Sequence, residues 1–86
     1  MGTNEFGEVV ALSLPKDKEF ESFRKAFGNR VKHFRKSSGL SQEEVAERSG
    51  LHRNYISDVE RGRRNLSLDA LLKLANGLGI NIRDMF

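Results

Sequence analysis

Cysteine is absent from the 86 residues, which excludes disulfides and thiolate metal sites. Histidine is scarce: His33 and His52 are the two present, and neither has an acidic residue at ligand spacing, so no metal is expected. Proline occurs once, while charged residues are plentiful, a balance that suits a compact helical protein better than a disordered one. No apolar run approaches the roughly 20 residues that cross a bilayer. No basic stretch leads into an apolar one at the N-terminus, so there is no secretory signal and the cytoplasm is the expected compartment. There is also no Ser/His/Asp set and no glycine-rich phosphate loop. The expectation is a protein that is not an enzyme, carries no cofactor and does not associate with membranes.

What is present is basic charge, unevenly placed. Residues 1–21 hold five acidic side chains against two basic ones, so the net charge of +3 combines −3 there with +6 across the rest. Ten of the fifteen basic residues fall in two windows. One contains Arg24, Lys25, Arg30, Lys32, Arg35 and Lys36, the other Arg53, Arg61, Arg63 and Arg64. A single charge run is usually a solvated helix face. Two runs that folding can bring together point to a polyanion partner.

The chain divides into an arm, residues 1–19, and one domain, residues 20–86. Within the arm, Val9, Val10, Leu12 and Leu14 belong to a β-prone stretch stopped by Pro15. A lone strand is unstable, so this stretch either pairs with something or stays disordered. From Phe20 the pattern is helical: Phe20, Phe23, Phe27, Val31 and Phe34 fall on one face, which reads as core, and Gly39 ends the helix. Ser41 and Glu44 match a capping box. The short helix that follows points Val45 and Ala46 inward and breaks at Ser49-Gly50-Leu51. A third helix runs from about His52 or Arg53 to Glu60 with Ile56 and Val59 on its apolar side. Ser67 caps a fourth whose buried face includes Leu68, Leu71, Leu72, Ala75 and Leu78, and Asn81 caps a last helical turn. No strand pattern, repeat or low-complexity tract occurs in residues 20–86.

The stretch from Ser41 to Gly62 carries the most information. It describes two short helices joined by a tight turn: Ala46 is small enough for a close crossing, and Gly50 suits a turn position with positive φ. Such an arrangement projects the N-terminal half of the second helix outward, where it can enter a major groove. Gly39-Leu40-Ser41-Gln42-Glu43-Glu44-Val45-Ala46 and Tyr55-Ile56-Ser57-Asp58-Val59-Glu60-Arg61-Gly62 together resemble the Cro/C1-type (XRE) helix-turn-helix family over residues 27–86. The run from Arg61 to Ser67 is similar to restriction–modification controller proteins. The resemblance implies an all-α, five-helix, lambda-repressor-like domain that binds double-stranded DNA.

Residue chemistry assigns roles on that scaffold. Arg53 and Asn54 open the recognition helix; arginine can pair two acceptors of guanine and asparagine can pair adenine, with Ser57 a weaker reader one turn later. Asp58 is more naturally solvated or paired with a nearby arginine than set to read cytosine. Gln42 and Tyr55 flank the groove as phosphate contacts. Similar proteins use the positions of Arg61, Arg64 and Asn65 for phosphates, and in similar repressors the positions of Arg35 and Glu60 form a buried ion pair. Two surfaces are candidates for homodimer formation. One is Ile80, Ile82, Met85 and Phe86, a region that supplies a two-fold contact in the family; the other is the arm. The chain offers no evident room for a small-molecule effector domain. The expected function is a dimeric transcriptional regulator. The alternatives are an antitoxin, a restriction–modification controller, or an interaction module without DNA binding.

Overall fold

The computed structural model describes residues 17–86. The stretch containing Val9, Val10, Leu12 and Leu14, and the interface role expected of it, lies outside the described residues. Four α-helices follow in order: α1 (Asp17–Ser37), α2 (Gln42–Ser49), α3 (Arg53–Glu60) and α4 (Leu68–Leu78). A 3-10 turn, Ile82–Met85, closes the chain, and no strand occurs among the described residues. The class is therefore all-α, but the expected fifth helix is this 3-10 turn. Asn81 and Asp84 cap each other across it, and its backbone closes through Asp84 N–H to Asn81 O and Phe86 N–H to Arg83 O. So few residues leave no length for an α-helical ladder.

The local signals act where they stand. Ser67 accepts from the Ala70 N–H at the start of α4, and Gly50 and Gly79 end α2 and α4 in the left-handed conformation. Helix α1 starts at Asp17, ahead of Phe20, with Asp17 and Glu19 in its first turn where the helix dipole favours acid. The core joins Phe27 and Val31 of α1, Val45 and Ala46 of α2, Ile56 and Val59 of α3, and Leu74, Ala75 and Leu78 of α4.

Three expectations about burial require correction. Phe20 and Phe23 are not core: they are 47% and 60% exposed. A helix of 21 residues is about 31 Å long, whereas α3, packed against it, has eight residues and reaches about 12 Å, so the first turns of α1 outrun the bundle. On α4 the buried face is Ala70, Leu74, Ala75, Gly77 and Leu78, with Leu71 half-buried, while Leu68 and Leu72 are exposed. The close approach of α2 selects small residues here, since a Cβ on Gly77 would stand 2.8 Å from the Ser49 Cβ. Leu68 and Leu72 are turned away. Finally, Met85 is not a dimer contact, because it is almost wholly buried in its own core. Arg30 donates to the carbonyls of Met85 (3.2 Å) and Asp84 (2.7 Å), holding the turn against α1. Ile80 and Ile82 are half-buried against the core, and Phe86 is exposed while stacking on Phe27 at 5.3 Å.

Helix α1 meets α3 at Gly28, where a Cβ would collide with the carbonyl oxygens of Val59 and Glu60. Alanine is the better helix former by about 1 kcal/mol. Overpacking outweighs it at this crossing, so Gly28→Ala lowers stability by about 1–3 kcal/mol in urea denaturation. A gain in stability would show that the crossing is looser than described.

Candidate nucleic-acid interface

The helix-turn-helix is built from its caps inward. The Ser41 hydroxyl accepts from the Glu44 N–H at 3.0 Å, and the Glu44 carboxylate accepts from the Ser41 N–H at 2.9 Å. The backbone bond from Ser41, and then the bond to its side chain, hold the Glu44 carboxyl below its ordinary pKa. At the other end the N–H groups of Gly50 (2.9 Å) and Leu51 (3.2 Å) both reach the Ala46 carbonyl. The buried Ser49 hydroxyl donates to that carbonyl and accepts from Leu51. The chain therefore turns at once and begins α3 at Arg53.

One polar cluster fixes how the helices sit. Arg35 of α1 donates to both carboxylate oxygens of Glu60, the last residue of α3, at 2.6 and 2.9 Å. Their side chains are only 10% and 4% exposed. Arg35 also donates to the Leu40 carbonyl at 3.0 Å, and the Gln42 amide at the start of α2 donates to Glu60 at 3.1 Å. The hydrogen bond to Glu60 raises the Arg35 pKa above its usual value against burial, which lowers it. Among the described residues no buried side-chain nitrogen or oxygen is left without a partner.

The pair forms the floor of an open recess. Lys32 and Lys36 of α1, Gln42 of α2, Arg53 and Ser57 of α3, and Arg61 complete its lining. Arg53 and Asn54 stand exposed on the first turn of α3, and Arg53 makes a loose pair with Glu43 at 3.5 Å. A second group lies at the side of α3. Arg64 pairs with Asp58 at 3.3 Å and lies over the Tyr55 ring, 5.0 Å from its centre. Asn65 accepts from Arg24 at 3.4 Å, away from both. Thus the recess gathers Gln42, Arg53, Ser57 and Arg61, whereas Tyr55 and Arg64 form a separate flank. Lys32 and Lys36 belong to a basic window of the sequence, which gives them no contact role of their own. Their spacing of four in a basic window was the signal, and only the fold shows that this face of α1 borders α3. A recess rimmed by four cations beside an exposed Arg–Asn turn suits a polyanion whose interior edges are to be read. No group of His, Cys, Asp and Glu among the described residues could hold a metal, and no described helix is long and apolar enough to cross a membrane.

Comparison with known proteins gives the same picture. The helix-turn-helix family model matches residues 31–85. The chain is 46% identical to the control protein C.BamHI of Bacillus amyloliquefaciens over 65 residues, 74% of this chain and 80% of that protein. It is 44% identical to the immunity repressor protein of Bacillus phage phi105, over 64% of this chain and 38% of the repressor. Among solved structures, the restriction–modification controller protein C.AhdI of Aeromonas hydrophila superposes with a TM-score of 0.74 at 48% identity. That match covers 76% of this chain and 98% of C.AhdI.

Removing the charge of Glu60 tests the polar cluster. Glu60→Gln leaves the Arg35 guanidinium buried without its counter-ion and lowers stability by about 3–5 kcal/mol. Thermal unfolding followed by circular dichroism measures this, and an unchanged midpoint would mean that the pair has no structural role.

Proposed function

The chain belongs to the helix-turn-helix family of DNA-binding transcriptional regulators, and on that premise we propose that it reads an inverted-repeat site as a homodimer and represses transcription, its own included. One observation carries this reading: Arg53 and Asn54 are exposed on the first turn of a helix that is anchored in the domain by its buried residues Ile56, Val59 and Glu60. Their chemistry suits guanine and adenine edges, with Ser57 behind them. Gln42, Tyr55, Arg61, Arg64 and Asn65, joined by Lys32 and Lys36, hold the phosphates on either side. The role is one of binding rather than catalysis, and with DNA as the partner it belongs in the cytoplasm. Half-buried Ile80 and Ile82 and exposed Phe86 form the surface proposed for the two-fold contact.

Similarity to control proteins favours a second, narrower reading: control of a restriction–modification system. The two differ in where the site lies, since a controller's site would stand before a restriction gene.

Affinity selection from a randomised duplex library tests the proposal. The expected product is a two-fold symmetric site whose halves lie about 34 Å apart, one turn of duplex. Arg53→Ala costs about 1–3 kcal/mol and relaxes one base pair of the selected site. Arg64→Ala weakens all sequences alike and reduces the salt slope by about one. If no sequence is enriched, the proposal fails. If Arg53→Ala leaves the profile intact, another part of α3 does the reading.

A further inference from the structure

A second basic recess adjoins the first and shares Arg61 with it. It is lined by Arg24 and Lys25 of α1, by Arg61, Gly62, Arg63 and Asn65 of the loop after α3, and by one acidic residue, Glu21. Arg24 and Lys25 lie ahead of residue 31, where the family match begins. The phosphate contacts proposed above take in Arg61 and Asn65 of this lining, but not Arg24, Lys25 or Arg63.

The backbone builds the cluster. Gly62 has φ of +75° and is buried against α1, so close that an added Cβ would stand 2.9 Å from the backbone nitrogen and Cα of Lys25. Only glycine satisfies both the left-handed conformation and the close approach. The result sets Arg61 and Arg63 beside Arg24 and Lys25. Four cations share the recess with one carboxylate, and Glu21 is 3.4 Å from Lys25 in an exposed pair of little strength. Such crowding costs free energy until an anion enters.

The cluster is also aligned with the first recess. Lys25, Lys32 and Lys36 are spaced seven and four apart, which places them along one face of α1. From Lys25 to Lys36 the rise is about 16 Å. Successive phosphates of one strand advance about 3.4 Å along the duplex axis, so the stripe is long enough to follow several.

We propose that Arg24, Lys25, Arg61 and Arg63 form a second phosphate site, which grips the DNA backbone outside the base pairs read by α3. Arg61 is the hinge between the two sites: it serves the reading recess on one side and this one on the other. The proposal rests on the DNA-binding reading and adds to it a length of backbone that carries no sequence information. Arg63, which the sequence shows only as a member of a basic window, thereby gains a partner.

The test uses a 30-base-pair duplex recovered from the library, titrated with the full chain over a range of salt. Lys25→Gln and Arg63→Gln each lower the slope of log K against log salt by about one, while leaving the selected base sequence unchanged. Glutamine keeps the Cγ that packs on Gly62, so the loop stays in place. Lys73→Gln on α4, which lines neither recess, controls for net charge and leaves the slope unchanged. Trimming the duplex to the symmetric site alone reduces the wild-type slope and abolishes the difference between wild type and the two variants. If Lys25→Gln and Arg63→Gln behave as Lys73→Gln does, the second site is overturned and the reading site stands. If the wild-type chain binds no duplex at any salt, both are overturned. If the selected base sequence changes in these variants, the recess acts on reading, and its assignment as a backbone grip is wrong.

Discussion

A guanidinium and a carboxylate taken out of water between three helices decide the form of this molecule. Arg35 comes from near the end of α1, Glu60 is the last residue of α3, and Gln42 opens α2. A carboxylate at a helix C-terminus faces the negative end of the dipole, so Glu60 sits where its charge is disfavoured twice, by burial and by its own helix. Two hydrogen bonds from Arg35 and one from Gln42 offset this. The net stabilisation of such a group can be small, but its geometry is demanding. Because α3 is held at its C-terminal end, its first turn is free to stand clear of the bundle with Arg53 and Asn54 exposed.

The same cluster organises the charge around it. Glu60 is consumed by its partners at the floor of the reading recess, leaving Lys32, Lys36, Arg53 and Arg61 to define the field at the rim. On the far flank Asp58 is paired with Arg64, so the acidic residues of α3 do not oppose an approaching polyanion unscreened. The placement of charge is thus a consequence of packing. Positive side chains occur throughout the chain, but only those brought to the border of α3 and its following loop act together.

Much of this was legible in the sequence because much of it is local. The capping box at Ser41–Glu44, the turn at Gly50, the limits of α3 and the cap at Ser67 depend on neighbours within a few residues. The motif around Ala46 and Gly62 carried the family resemblance for the same reason. What was not legible depends on where another helix ends. Phe20 and Phe23 share a face with Phe27, and periodicity cannot show that α3 is too short to cover them. Leu68 and Leu72 are apolar enough for a core, but α2 comes so near α4 at Gly77 that the buried face is set there and leaves them outside. Met85 looks like a terminal apolar residue in need of cover until Arg30, 55 positions away, is seen to hold its carbonyl. Lys32 and Lys36 belong to a basic window that points to a polyanion without saying which of its members act, and their value comes from the helix they border.

The dependence of the whole arrangement on one polar contact is open to direct measurement. In a double-mutant cycle, Arg35→Met and Glu60→Leu are made singly and together, and unfolding free energies are obtained from urea titrations. If the two side chains hold the helices as a unit, the double variant recovers much of what either single change loses, with a coupling of about 2–3 kcal/mol. A coupling indistinguishable from zero would mean that each side chain acts alone, and that something other than this contact sets the angle at which α3 presents its reading end.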